Sequence, residues 1–214
     1  MSEESIQQQR HSARAFKQQD VPEDVVKAVV ADALNAPSWE NSQPGRIYVA
    51  TGATAAKLRA HHERVVTSGQ KSWAEVVPPK QMTGYMGQNV DDWLASVQDA
   101  MGPKAMQDFG SAGARLFDAP VLVYITVPKD ATMYAAYDAG ALGYGILLAA
   151  TAHGLSSVPA YQLIRYPEEI RTQFDIPDDE EIMMGMALGY PDDSQINQLR
   201  TTRQRVDDVL QLRK

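Results

Sequence analysis

Residues 119–127 read APVLVYITV, an unbroken apolar run with the length of one strand. A strand with one solvated face alternates apolar and polar residues, so this run predicts a strand that is covered on both faces. Residues 46–51 (RIYVAT) predict a second strand, and residues 182–191 (IMMGMALGYP) predict a third that ends in a turn. Helical segments alternate with these strands, which favours a three-layer or α+β sheet architecture.

The other patterned segments predict helices. Residues 21–36 (VPEDVVKAVVADALNA) form an amphipathic pattern, with a proline and two carboxylates at the positive end of the helix. Residues 134–154 are apolar and predict a buried helix, in which Ala136, Gly140 and Gly143 form a ridge of small residues that permits close approach of another helix. Two further helices are predicted at residues 3–9 and 53–68.

Two regions depart from this regular alternation. Residues 69–112 scatter aromatic and methionine side chains among glycines, prolines and charges, with poor helical periodicity. We interpret them as an insertion that caps the core. Residues 194–214 carry several arginines and predict a C-terminal arm. The chain therefore reads as one domain over residues 1–214, with a cap and an arm.

Composition excludes several classes of function. The chain has 214 residues and a formal charge of −7, which argues against a broad nucleic-acid surface. Cysteine is absent, so disulfides, thiolate metal sites and cysteine nucleophiles are excluded. The opening residues MSEESIQQQR have no apolar signal core, and the apolar run 139–152 is shorter than the roughly 20 residues of a membrane span. We expect a cytoplasmic protein.

Common catalytic signatures are missing. Gly140, Gly143 and Gly145 do not fit the GxGxxG order, and neither a phosphate-binding P-loop nor a GxSxG nucleophile motif occurs. His61 and His62 are neighbours, so a helix would point them about 100° apart rather than toward one metal ion. The sequence therefore predicts no metal site. It indicates either an enzyme whose chemistry lies in a bound cofactor, or no enzyme at all.

Two polar clusters point to a ligand. Arg10, Ser12 and Arg14 lie on alternate residues, so an extended segment would present all three on one face as a grip for an anion. An exposed basic turn would have the same sequence. Residues 37–46 (PSWENSQPGR) hold neutral donors and acceptors that suit the edge of a polar heterocycle, or that simply cap the preceding helix. Together with the arginine-rich tail, the clusters describe a ligand with a phosphate at one end and a polar ring at the other.

This combination resembles the nitroreductase family of FMN-dependent oxidoreductases. Residues 10–16 (RHSARAF) fit the family opening Arg-[Arg/His]-Ser-x-[Arg/Lys]-x-Phe. Residues 36–44 (APSWENSQP) fit Ala-Pro-Ser-x-x-Asn-x-Gln-Pro, after which Gly45 stands where Trp is usual. The resemblance runs from about residue 5 to 210, although Arg205 stands where the family usually has proline. Later landmarks that fit are Ala119-Pro120, Gly154-Leu155, residues 163–167 (LIRYP), residues 188–191 (LGYP) and Arg203.

The resemblance implies a mixed, mostly antiparallel sheet flanked by helices, in an intertwined homodimer with two FMN sites at the interface. Arg10, Ser12 and Arg203 would meet the phosphate or ribityl chain, and Arg14 would approach the pyrimidine side of the flavin. Pro37, Ser38, Trp39 and Asn41 would line the flavin from the other subunit. Residues 159–162 would pass near flavin N5. The implied cofactor-binding residues are Arg10, His11, Ser12, Arg14, Pro37, Ser38, Trp39, Asn41, Gln43, Ala160, Tyr161, Gln162, Arg200 and Arg203.

The activity implied by the resemblance is ping-pong transfer of hydride. NAD(P)H would reduce the flavin at N5, and a nitroaromatic, quinone or conjugated carbonyl would then reoxidise it, with no side chain needed as a general base. Other reactions of the same fold stay open, namely dehalogenation, dehydrogenation of a bound substrate and flavin destruction. A dimer that stores or senses flavin without turnover is a further alternative, and a globular protein without flavin is the last.

Overall fold

The computed structural model describes residues 4–214 and contains one sheet whose strand pairs are all antiparallel. Its strands are β1 (Arg46–Ala50), β2 (Val121–Pro128), β3 (Ser156–Pro159) and β4 (Glu180–Gly189), in the order β1-β2-β4-β3. The sequence predicted β1, β2 and β4. Strand β3 was missed because its four residues are too few to show a strand pattern.

Helices flank the sheet, as the α+β interpretation predicted. Helix α1 begins at Ile6, and residue 3 of the predicted 3–9 helix lies outside the described residues. Helix α2 ends at Ala33, short of the predicted residue 36, and α7 was not predicted. The helices are α1 (Ile6–Gln9), α2 (Glu23–Ala33), α3 (Gly52–Thr67), α4 (Gly84–Ala100), α5 (Pro103–Ala112), α6 (Met133–Ala152), α7 (Pro167–Phe174) and α8 (Val206–Val209).

Strand β2 forms the centre of the molecule. All its residues from Val121 to Val127 are buried, which confirms that the apolar run is covered on both faces. Leu122 and Tyr124 join a core with α3, α4 and α5, whereas Val123 and Ile125 join a second core with α2 and α6. Because successive strand residues point to opposite faces, one strand supplies both cores.

Helices α2 and α6 approach each other closely, but not at the predicted ridge. A Cβ atom on Gly145 would lie 3.2 Å from the carbonyl oxygen of Ala33, so this glycine lets the two backbones meet. Gly140 has open space around it, and Gly143 faces only the side chain of Ile125. Within the chain the contact with α2 is therefore made at Gly145, and that the ridge of Ala136, Gly140 and Gly143 permits close approach of another helix stays a prediction.

The segment 69–112 is tied into the core. Val97 and Met101 are buried in the same core as Leu122 of the sheet. The carboxylate of Glu75 pairs with the Arg171 guanidinium and accepts a hydrogen bond from the Ile182 amide at 2.6 Å. This carboxylate therefore holds the start of the segment on β4 and α7. That the segment is an insertion or a cap on the core remains a prediction.

His62 of α3 is buried without a counter-charge. Its side chain is 4% exposed and packs edge-on against Tyr166, with the ring centroids 5.5 Å apart. Burial, followed by the positive charge of Arg165, lowers the pKa of His62 to about 4. The folded protein therefore holds this imidazole neutral over a pH range in which the unfolded chain would protonate it.

We expect this histidine to make stability depend on pH. Below a pH of about 6.5, His62 is protonated in the unfolded chain but stays neutral in the folded protein. The free energy of unfolding therefore falls as the pH is lowered, until the pH reaches about 4. At pH 5 the loss relative to pH 7 should be on the order of 2 kcal/mol. Urea unfolding at both pH values should show a smaller loss for His62→Gln than for the wild type. The assignment would be contradicted if His62→Gln lost as much stability between pH 7 and pH 5 as the wild type does. It would also be contradicted if His61→Gln showed the same smaller loss that is expected of His62→Gln.

Candidate functional site

The arginine-bearing segment near the N-terminus lies alongside β3. Ser12 forms a parallel bridge with Ser157, and the Ala13 amide donates to the Ser157 carbonyl at 3.1 Å. Phe16 forms a second bridge to Pro191, beyond the end of β4. These backbone contacts fix the segment on the sheet, and the side chains of Arg10 and Arg14 are only partly buried.

Positive charges gather around this segment. Burial lowers the pKa of the Arg10 guanidinium, and the nearby charge of Arg203 lowers it further. Burial also lowers the pKa of His11, with additional lowering by Arg200, Arg10 and Arg14 in that order. The tail arginines therefore come close to the N-terminal arginines, although about 190 residues separate them in sequence. We call Arg10, His11, Arg14, Arg200 and Arg203 the cationic cluster.

The cluster lacks counter-charges of its own. Elsewhere in the fold arginines pair with carboxylates, as Arg115 does with Asp118 and Arg171 with Glu75. Within residues 4–214 none of the arginines of the cationic cluster has an Asp or Glu oxygen within 4.0 Å. Like charges held together without a partner repel one another, so the arrangement favours binding of an anion.

A buried asparagine holds the cluster together. Asn197 is 3% exposed, and its Oδ1 accepts hydrogen bonds from the amides of Arg14 at 2.7 Å and Ala15 at 3.2 Å. Its Nδ2 donates to the Ala15 carbonyl at 2.7 Å and to the Asp192 carbonyl at 3.1 Å. The Asn197 side chain thus links the arginine-bearing segment to the loop after β4 through hydrogen bonds. Sequence reasoning missed Asn197, since no local pattern marks a side chain whose partners lie about 180 residues away.

Arg14 also contacts the segment 69–112. Its guanidinium carbon lies 4.9 Å from the ring centroid of Phe109, which is a cation–π contact. A cavity of about 480 Å³ borders Arg14, and a second cavity of about 610 Å³ borders Arg203 beside Trp93 of α4. Space for a ligand therefore adjoins both ends of the cationic cluster.

The polar loop before β1 has a strained backbone. Residues Trp39–Asn41 form one short 3₁₀ turn, and Glu40, Asn41 and Gln43 have positive φ angles of 47°, 57° and 48°. Such angles are uncommon for residues other than glycine, and they persist only where neighbouring contacts hold them. We call residues 37–43 the polar loop.

Contacts inside the loop and with α6 hold this conformation. The hydroxyl of Ser38 accepts a hydrogen bond from the Gln43 amide at 3.0 Å. The Trp39 amide donates to Asp138 Oδ2 of α6 at 3.0 Å, and the Trp39 ring packs 4.5 Å from the ring of Tyr134. Helix α6 therefore contacts Trp39 of the loop at two points, the backbone amide and the aromatic ring.

Gly45, which stands where tryptophan is usual in the resembled family, packs against the same helix. A Cβ atom on Gly45 would lie 2.8 Å from Cδ2 of Leu142 in α6. A larger residue would require the end of the Leu142 side chain to shift.

The segment before the 3₁₀ turn Tyr161–Ile164 lies against β4. The Ala160 amide donates to the Gly185 carbonyl at 3.1 Å, and Gln162 accepts from the Arg165 guanidinium at 2.7 Å. A Cβ on Gly185 would lie only 2.5 Å from Cβ of Leu163, so only glycine permits this approach. The positions of Ala160 and Gln162 are thus set by a glycine of β4 that the sequence did not single out.

The predicted site residues thus form separate groups in one chain. Arg10, His11, Ser12, Arg14, Arg200 and Arg203 come together around the N-terminal segment. Pro37, Ser38 and Trp39 line a different cavity of about 610 Å³, together with residues of α6. Within the described part of the chain no helix is long and apolar enough to cross a membrane, and no group of three metal-binding side chains occurs.

Comparison with known proteins gives a consistent picture. A sequence model described as the Nitroreductase family matches residues 8–190. Nitroreductase NfnB of Mycolicibacterium smegmatis is 28% identical over 203 residues, covering 91% of this chain and 85% of the relative. Chloronitrobenzene nitroreductase of Comamonas testosteroni is 28% identical, with 93% and 91% covered. NADH dehydrogenase of Thermus thermophilus is 30% identical, with 85% and 83% covered.

Solved structures share the fold. The FMN-dependent nitroreductase NfnB of Mycobacterium smegmatis in complex with NADPH superposes with a TM-score of 0.89, at 24% identity and with 98% and 96% of the two chains covered. Iodotyrosine deiodinase bound to FMN and 3-iodo-L-tyrosine has a TM-score of 0.64 at 20% identity, with 98% and 97% covered. At these identities the likeness shows the fold alone, and it confirms the sheet flanked by helices that the sequence predicted.

We expect Asn197→Asp to destabilise the protein. The substitution keeps the shape but removes the three hydrogen bonds that Nδ2 donates, and it places a carboxylate against the Ala15 and Asp192 carbonyls and the Asp192 side-chain carboxylate. Loss of buried donors should lower the free energy of unfolding by about 3 kcal/mol in urea titrations at pH 7. Gln198→Glu adds the same charge at an exposed neighbour and should change stability by less than about 0.5 kcal/mol. Equal stability of both variants would contradict this role of Asn197.

Proposed function

The chain belongs to the nitroreductase family, and from that membership we propose that it is an FMN-dependent oxidoreductase that uses NAD(P)H to reduce nitroaromatic compounds. Its relatives include a chloronitrobenzene nitroreductase, and a nitroreductase of the same fold is FMN-dependent and was solved with NADPH. The observation that carries the proposal is the cationic cluster, because its arginines have no ion-pair partner among residues 4–214 of a chain whose formal charge is −7.

The residues fit FMN at its phosphate end. A phosphate monoester is close to dianionic at neutral pH and accepts charge-assisted hydrogen bonds, which arginine donates in a planar fork. Burial lowers the pKa of Arg10 and the charge of Arg203 lowers it further, and a dianion between the two arginines would relieve their repulsion. We propose that Arg10, Ser12 and Arg203 hold the phosphate, with His11 and Arg200 beside them.

The polar loop suits the ring of the flavin. Its Ser38, Asn41 and Gln43 groups are neutral donors and acceptors, which match the alternating carbonyl and N–H groups of a pyrimidine edge. In one chain this loop lies on α6, and its cavity is not the one beside Arg14. We propose that the protein is a homodimer in which the polar loop of one subunit completes the site built by the cationic cluster of the other.

Two exposed apolar surfaces support a dimer. Tyr134, Tyr137 and Tyr144 of α6 are 57%, 73% and 45% exposed in the single chain. The C-terminal arm exposes Val206 and Leu212 to 66% and 73%. Large apolar side chains at such density mark surfaces that another protein covers.

The chemistry follows from this arrangement. When bound, FMN would supply the hydride transfer between NAD(P)H and an electron acceptor, so no side chain need act as nucleophile or general base. Arg14 places a fixed positive charge, braced by Phe109, where it would stabilise negative charge on the pyrimidine side of the ring. We propose that donor and acceptor occupy one position in turn, in a ping-pong mechanism, and that segment 69–112 limits water and selects the acceptor. Quinones are proposed as further acceptors.

Flavin titration tests the cofactor and the role of the arginines. Wild-type protein should quench FMN fluorescence, and Arg10→Ala or Arg203→Ala should each raise the dissociation constant for FMN at least about tenfold. Arg64→Ala, on the exposed side of α3, should bind as the wild type does. Riboflavin lacks the phosphate, so its affinity should hardly change in either variant. A wild type that leaves FMN fluorescence unchanged contradicts the proposal.

Turnover then separates an enzyme from a flavin-binding protein. The FMN-loaded wild type should oxidise NADH or NADPH when 4-nitrobenzoate is supplied, with alternating reduction and reoxidation of the flavin in stopped flow. Flavin that stays oxidised with either nicotinamide indicates the non-catalytic alternative or another reaction of the fold, such as dehalogenation.

Mixed dimers test whether each site is shared between subunits. We expect little FMN binding by Arg10→Ala/Arg203→Ala dimers or by Ser38→Ala/Asn41→Ala dimers. Co-expression of both chains with different tags, followed by isolation of the mixed dimer, should restore about one tight site per dimer. The reason is that one site then receives both altered halves and the other receives neither. No tight site in the mixed dimer would place both groups on one subunit's flavin.

A further inference from the structure

Helix α6 contains one charged residue in an otherwise apolar or neutral sequence, MYAAYDAGALGYGILLAATA. This residue is Asp138, and it is 5% exposed. An ionised carboxylate in an apolar helix costs several kcal/mol unless strong hydrogen bonds or a cation compensate it. Its presence there calls for a specific role.

Asp138 is bonded to the polar loop instead of to a cation. Its Oδ2 accepts the Trp39 amide at 3.0 Å, and within residues 4–214 no Lys, Arg or His nitrogen lies within 4.0 Å of it. Tyr134 lies one helical turn earlier and packs against the Trp39 ring, with the two ring planes tilted by 36°. The two α6 residues thus fix the backbone and the side chain of the same loop residue.

The point of attachment is immediately before the strained part of the loop. Glu40 and Asn41, the next residues, have φ angles of 47° and 57°. Each such residue costs about 1–3 kcal/mol and relaxes unless surrounding contacts hold it. Inside the loop, the Ser38 hydroxyl bonds only the far side of the turn, at Gln43. The Asp138 carboxylate is therefore the polar contact by which α6 holds the side of the turn that begins at Trp39.

We propose that Asp138 is a positioning residue that holds the polar loop in its flavin-binding conformation before the cofactor arrives. The inference rests on the proposed function, since it takes the loop to border FMN. A loop that is ordered in advance loses less conformational entropy when the ligand binds, so affinity rises without direct contact. The role goes through the Trp39 N–H, and it requires the acceptor oxygen rather than the negative charge.

The experiment compares the affinity for FMN of three variants by fluorescence titration. Asp138→Ala removes the acceptor and should raise the FMN dissociation constant about tenfold or more. Asp138→Asn keeps an oxygen that accepts the Trp39 N–H and should stay within about threefold of the wild type. Leu147→Ala is the matched control, because Leu147 is a buried residue of the same helix, about 13 Å along its axis from Asp138. It should lower the melting temperature but leave the FMN dissociation constant within about threefold.

Several outcomes would overturn the inference. These are wild-type affinity in Asp138→Ala, equal weakening in Asp138→Asn, or weakening in Leu147→Ala that matches its loss of stability. In each case the wild type still binds FMN, so the proposed function stands. A wild type that does not bind FMN removes both the proposed function and the inference. Should Asp138→Ala fail to fold, Asp138→Ser is measured by the same criteria, since its hydroxyl is too short to reach the Trp39 amide.

Discussion

The site depends on positive charge that the fold concentrates without neutralising. Arg10, Arg14, Arg200 and Arg203 come from the two ends of the chain, and the backbone around Arg14 is held by Asn197. In a chain with a net charge of −7, carboxylates are abundant, yet the arginines that pair with them among the described residues are Arg115, Arg171 and Arg205, which lie outside the cluster. The position of the cluster in the fold therefore keeps its arginines free for an external anion. The charge composition of the chain alone would favour neutralisation of these arginines by carboxylates.

The sheet makes that placement possible. Strand β2 is buried on both faces and supplies residues to both cores. It therefore gives a rigid support to β4, which pairs with β2, and through β4 to the edge strand β3. The arginine segment then adds itself to the edge strand β3 through Ser12 and Ser157. Because a backbone bridge fixes the side-chain direction of its neighbours, docking on the sheet decides which way the alternate residues of the segment face.

Sequence reasoning found the parts of the site that local patterns encode. The alternating Arg10, Ser12 and Arg14, the polar residues 37–43 and the strands at 46–51 and 119–127 each carry their signal within about ten residues. It missed Asn197, Asp138 and Gly185, because each acts on a partner that lies far away in sequence. A buried asparagine, a lone aspartate in an apolar helix and a glycine in a strand have meaning only once the facing backbone is known. The same limit applies to the glycines of α6, since the sequence shows which residues are small but not which face of the helix meets α2.

Two unfavourable features of the fold occur in the two regions that we propose form the flavin site. Mutual repulsion of the arginines and positive φ angles in the polar loop both raise the energy of the folded chain, and neither serves the core. Local rules of stability are most often broken where binding requires it, and the rest of the fold offsets the cost. Here the offset comes from specific anchors: Asn197 for the arginines, and Asp138 with Tyr134 for the loop. An anion would relieve the first cost directly, whereas the second cost is already met before any ligand binds. The two halves of the proposed site would therefore contribute differently, the arginines through attraction and the loop through a shape fixed in advance.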